Sequence, residues 1–127
     1  MDWNDAALAA AGLIGSGVAV VHGALVQRLM VGPIREAGAG DKRFRGPVGK
    51  LVPVLLQFST FAWFFGGVAL VAAAGWLDGP ARLAISLFVG SLFLFGAVAN
   101  LSATRGRHPG GMLMAAATVL IGFSLVG

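Results

Sequence analysis

The 127-residue sequence has no cysteine, and only 11% of its residues are charged. Without cysteine there is no disulfide framework, no thiolate metal site and no thiol nucleophile. The five acidic residues are Asp2, Asp5, Glu36, Asp41 and Asp78, and all of them fall outside the long apolar runs. Carboxylate-driven proton coupling therefore lacks its central residue, because such a group must sit within a span to carry protons across it. Serines within the runs have no His/Asp arrangement around them, which argues against a hydrolase. A soluble domain carries about 25% charged residues, far more than this chain.

Hydrophobic residues supply 57% of the sequence, and its mean hydropathy is +0.87. Four apolar runs cover about residues 6–31, 51–77, 81–101 and 110–126. A bilayer span needs ~20 mostly apolar residues; the first three runs have that length, and the fourth reaches it only by starting near Pro109. The expectation is an all-α fold: one transmembrane domain over residues 1–127, built as an antiparallel four-helix bundle with short connections. The first run is too long for a signal peptide and lacks a basic leader segment. Small size, Ala/Gly-rich runs and the lack of a targeting segment point to a bacterial inner membrane.

The basic residues fix an expected orientation. Arg28, Arg35, Lys42, Arg43, Arg45, Lys50, Arg105 and Arg107 lie in or beside two loops on one side, against Glu36 and Asp41, for a net charge of +6. The other side holds Arg82 against Asp2, Asp5 and Asp78, for −2; together the sides give the chain's +4. Positive-inside bias then puts both basic loops in the cytoplasm and both termini outside it. Arg28, Lys42, Arg43, Arg45, Arg105 and Arg107 are candidates for contact with anionic lipid head groups, and nucleic acid is not needed to explain the basic balance.

Local signals divide the chain further. Gly32-Pro33 is expected to end helix 1, because proline lacks a backbone donor and restricts its predecessor. A long, glycine-rich loop should follow to Gly49, with Pro53 in the first turn of helix 2. Asp78 or Gly79 is expected to cap helix 3, with Pro80 at its first position. Ala7, Ala11, Gly15, Ala19 and Gly23 recur every four residues, the pattern by which membrane helices approach closely within a bundle or a dimer. Trp3 and Trp76 fall at the outer boundary.

Polar residues within the runs gather toward the basic side: His22 and Gln27 in helix 1, Gln57 in helix 2, Asn100 in helix 3 and Thr118 in helix 4. With the mid-membrane Trp63 they form a candidate ligand-binding set; the simpler reading is interhelical hydrogen bonding, His22 to Gln57 or Thr118. No catalytic group and no metal site are identified. His108, the second histidine, is expected in a loop far from His22 in depth, which disfavours metal or haem ligation. No cofactor is expected, quinone or haem being the exceptions considered.

The segments His22-Gly23-Ala24-Leu25-Val26-Gln27-Arg28, Pro33-Ile34 and Leu56-Gln57-Phe58-Ser59-Thr60-Phe61-Ala62-Trp63 resemble a group of uncharacterised small four-helix bacterial inner-membrane proteins. In that group Glu is usual at the position of Gln27 and His at that of Gln57. The resemblance implies the same architecture, gives weight to His22, Gln27 and Gln57, and implies no activity. The expected function is that of an accessory or assembly subunit of a larger membrane complex, associating with other subunits or with itself through the helix 1 stripe; the alternative is a protein that binds or transports a small hydrophobic ligand, quinone or lipid in a polar pocket of the cytoplasmic half.

Overall fold

The computed structural model describes residues 2–126. Four helices follow in order: α1 (Trp3–Gly38), α2 (Pro47–Trp76), α3 (Gly79–Ala103) and α4 (Pro109–Val126). Each is long and apolar enough to cross a membrane. The short connections turn the chain back each time, giving an all-α, up-down-up-down bundle. α1 packs against α2 and α4, and α3 against the same two neighbours. The termini lie at one end, called here the terminal end; the Ala39–Gly46 and Thr104–His108 connections form the basic end.

Helix α1 opens with a reciprocal cap. The Asp2 carboxylate accepts a hydrogen bond from the Asp5 N–H at 2.8 Å, and the Asp5 carboxylate accepts one from the Asp2 N–H at 3.1 Å. Two amide donors that a helix start leaves unpaired are thereby satisfied.

At its other end α1 departs from the sequence expectation. It does not stop at Gly32-Pro33 but continues to Gly38, through a single wide turn over Gln27–Val31. In that turn the Gly32 N–H reaches back five residues, to the Gln27 carbonyl. Proline has no N–H for the carbonyl four residues earlier, and its ring crowds that carbonyl. A π-type turn placed just ahead of Pro33 makes room for the ring without ending the helix.

The long loop expected from Gly32 to Gly49 consequently shrinks to residues 39–46. Within it the Asp41 carboxylate accepts from the Arg43 N–H at 2.8 Å, and Phe44 folds back over Gly38, where a side chain would collide with its ring. α2 begins at Pro47 rather than near residue 51, so Pro53 lies inside the helix and not in its first turn. Asp78 occupies the N-cap position of α3 with extended backbone, but its side chain makes no capping bond; Pro80 sits in the first turn as expected.

Glycines set the closeness of packing. Gly12 of α1 and Gly67 of α2 face each other so tightly that a Cβ on either would strike the other's carbonyl oxygen. Beside them, Ser16 Oγ donates to the Phe64 carbonyl at 3.1 Å. The tip of the Phe93 ring, from α3, fills the space above Gly15, and Trp63 lies across Gly96. Leu8, Leu70, Val89, Phe93 and Met114 complete a sealed centre. The small-residue stripe of α1 is therefore used within the bundle: Ala7, Ala11, Gly15 and Ala19 are buried, and Gly23 meets Thr60. The exterior carries Phe58, Phe61, Phe65, Phe88 and Phe95, as suits a surface bathed in hydrocarbon.

Candidate functional site

The structure disperses part of the expected polar set. Asn100 Nδ2 donates to the Gly96 carbonyl at 2.7 Å and Thr118 Oγ1 to the Met114 carbonyl at 2.9 Å, each four residues back on its own helix. Gln27 is exposed at the start of the wide turn. These three side chains take no part in a shared cluster. Neither expected partner bonds to His22, whose Nε2 instead lies 3.3 Å from Ser59 Oγ. Gln57 Nε2 donates to the Gly23 carbonyl at 3.0 Å, tying α2 to α1 one residue beyond His22. The Trp63 ring, buried between helices, leans on the His22 ring with centroids 4.7 Å apart.

The principal cavity is a groove of about 440 Å³ between α1 and α4. Leu13, Ile14, Val18, Val21 and Leu25 form its α1 wall, and Pro109, Gly110 and Leu113 its α4 wall. Gly17 contributes an opening, since nothing lies within 4 Å of where its Cβ would stand. Among the described residues, His22 and His108 alone bring polar side chains to the groove. From Leu13 to Leu25 it runs for ~18 Å along α1, more than half the ~30 Å thickness of a bilayer's hydrocarbon. No lysine or arginine lines it.

His108 stands in the Thr104–His108 connection, as expected, but not far from His22. It shares the groove with His22 rather than lying at a different depth. The reason is helix length. α4 has only 18 residues, ~27 Å, measured from Pro109 to Val126. On the antiparallel α1, His22 stands ~28 Å from Trp3, so the start of α4 and His22 come level. The expected end of α1 at Gly32-Pro33 does not mark the basic boundary, since the helix continues past it to Gly38, and so His22 is shallower than that end implies. The available signal was the shortness of the fourth run, which forces Pro109 to the basic boundary.

His108 also caps α4. Its Nδ1 accepts the Gly111 N–H at 2.9 Å, the N-cap geometry in which a side-chain acceptor satisfies the third amide of the helix. With Nδ1 accepting, the proton of the neutral ring resides on Nε2, which is then a donor. Among the described residues, no three His, Cys, Asp or Glu side chains come together as a metal-holding group.

No family model, curated protein or solved structure matches this chain. Two shallower depressions lie along α2, bounded by Gln57, Phe61 and neighbouring apolar residues. The basic residues Arg28, Lys42, Arg43, Arg45, Arg105 and Arg107 are all exposed at the basic end. The one ion pair among the described residues lies at the terminal end, where Arg82 Nη1 meets Asp5 Oδ1 at 2.6 Å.

Proposed function

We propose that this is a multi-pass protein of a bacterial inner membrane that binds a small hydrophobic molecule in the α1–α4 groove, entering sideways from the lipid. The observation that carries this reading is the pair of histidines on an otherwise apolar wall. Ligand sites are concave, mostly apolar and supplied with a few polar groups that fix orientation, and ~300–1,000 Å³ is their usual size. Both termini face away from the cytoplasm in this reading, with Arg28, Lys42, Arg43, Arg45, Arg105 and Arg107 among the anionic head groups of the inner leaflet. The bundle binds its ligand and carries out no chemistry on it.

Gly17→Phe tests the proposal, because the added ring enters open groove space rather than packed core. Native mass spectrometry of the mildly extracted protein should show a hydrophobic adduct on the wild type and none on the variant, with equal thermal stability. An adduct that persists on Gly17→Phe would remove the groove from consideration.

A second reading, an accessory subunit, is favoured by the hairpin at the basic end. α1 is ~54 Å long and α2 ~45 Å, both exceeding a span. Leu29, Leu51, Val54 and Leu55 are exposed toward that end, an apolar surface beyond the tightly packed centre. Reproducible co-purification of a partner at native expression, lost on Leu29→Glu, would support this role. A monodisperse monomer free of partners would oppose it.

A further inference from the structure

We propose that the ligand of the α1–α4 groove is an isoprenoid quinone, its ring held between His22 and His108 and its tail lying toward Leu13. This rests on the reading of the groove as a ligand site and names the ligand's class.

Three features point to that class. First, the groove supplies polar groups near its basic end and only apolar surface along the rest of its length, which suits a head-and-tail molecule oriented with its head at that boundary. Second, no lysine or arginine lines the wall, so an anionic head held between the histidines would have no cationic side chain of the wall against it, and a desolvated charge without a partner is costly. A neutral head is therefore favoured over a phosphate. Third, the two imidazoles stand on opposing walls and offer complementary roles. His108 is committed as an Nε2–H donor by its capping bond to Gly111. His22 is not committed, because Ser59 Oγ can donate to its Nε2 or accept from it. In the first case His22 Nδ1 carries a proton and donates to a carbonyl; in the second, Nδ1 accepts from a hydroxyl. A ring with oxygens on both edges, present as carbonyl or hydroxyl, matches that pair. The inference concerns binding of either form, with no electron transfer by the protein.

The test uses the full chain carrying Trp3→Phe and Trp76→Phe, so that Trp63, against His22, is the sole fluorophore. In phosphatidylcholine nanodiscs, decylubiquinone should quench Trp63 saturably at about one equivalent. His22→Phe should raise the half-saturation concentration at least tenfold. His108→Asn should do the same while keeping the α4 cap, because an Asn side chain accepts at the same position. Gly17→Phe should abolish saturation, and circular dichroism should show all variants equally helical. Half-saturation unchanged within twofold in both histidine variants, with Gly17→Phe still blocking, would overturn the quinone head while leaving the groove as a ligand site. Loss of quenching in phosphatidylglycerol nanodiscs would do likewise, by showing that an anionic lipid outcompetes the quinone. Saturation that survives Gly17→Phe, or no saturation in any variant, together with no adduct on the wild-type protein, would overturn both.

Discussion

At the scale of single residues, the glycines make the sharpest distinctions. Gly15 and Gly122 are both helical and are interchangeable by composition, yet one faces the Phe93 ring and the other faces open space. Gly15→Ala should therefore destabilise the bundle by about 1–3 kcal/mol, the usual cost of forcing extra volume into a packed core. Gly122→Ala should be neutral or slightly stabilising, since alanine loses less entropy on entering a helix. Thermal unfolding in a mild detergent compares the two, and equal midpoints would mean that Phe93 does not occupy the space above Gly15. Ser86 supplies a second residue-level test. Its hydroxyl is fully buried and without a hydrogen-bond partner, so the folded protein bears its desolvation uncompensated. Ser86→Ala should raise the unfolding midpoint or leave it unchanged. A marked fall would require a partner for that hydroxyl.

At the scale of elements, what the sequence made legible depended on whether hydrophobicity or backbone chemistry decided the outcome. The four runs were readable because lipid demands a continuous apolar stretch, and the structure has four such helices. The end of α1 was not readable from Pro33, because the local rule that proline stops a helix is met here by widening one turn. The isolation of Asn100 and Thr118 was hidden for a similar reason. A polar side chain in a span needs a partner, but the carbonyl four residues back on its own helix serves as well as a neighbouring helix. His22 and Trp63 belong to the expected polar set, and their rings meet. The meeting of His22 and His108 was missed because the level at which α4 starts beside α1 depends on the length of α4 and not on the residues around either histidine. The wide turn itself makes a prediction: Pro33→Ala restores the missing N–H and removes the ring that crowds the Leu29 carbonyl. The segment Gln27–Val31 should then relax to ordinary α-helix, with slower amide exchange across it and a higher unfolding midpoint. Unaltered exchange would mean that something other than Pro33 holds the turn open.

At the scale of the whole molecule, charge and packing act on different ends. The basic end is studded with exposed arginines and lysines, whereas Arg82, the one basic residue at the terminal end, is half-buried and joined to Asp5. By count, Arg82 alone among the lysines and arginines stands at the terminal end, against eight at the basic end. The absence of native cysteine allows this asymmetry to be read directly, through Gly40→Cys in the α1–α2 connection and Asp78→Cys in the α2–α3 connection. Gly40 has open space around its Cβ position, and Asp78 makes no capping bond, so neither substitution disturbs packing. In intact cells a membrane-impermeant maleimide should label the D78C variant at once and the G40C variant only after permeabilisation. Replacing Lys42, Arg43, Arg45, Arg105 and Arg107 by glutamine should bring part of the G40C population to the outer face, because orientation follows lysine and arginine rather than net charge. Labelling of both positions from one side would break the up-down order of the helices, and labelling with the sides exchanged would reverse the orientation on which the assignment of head groups depends.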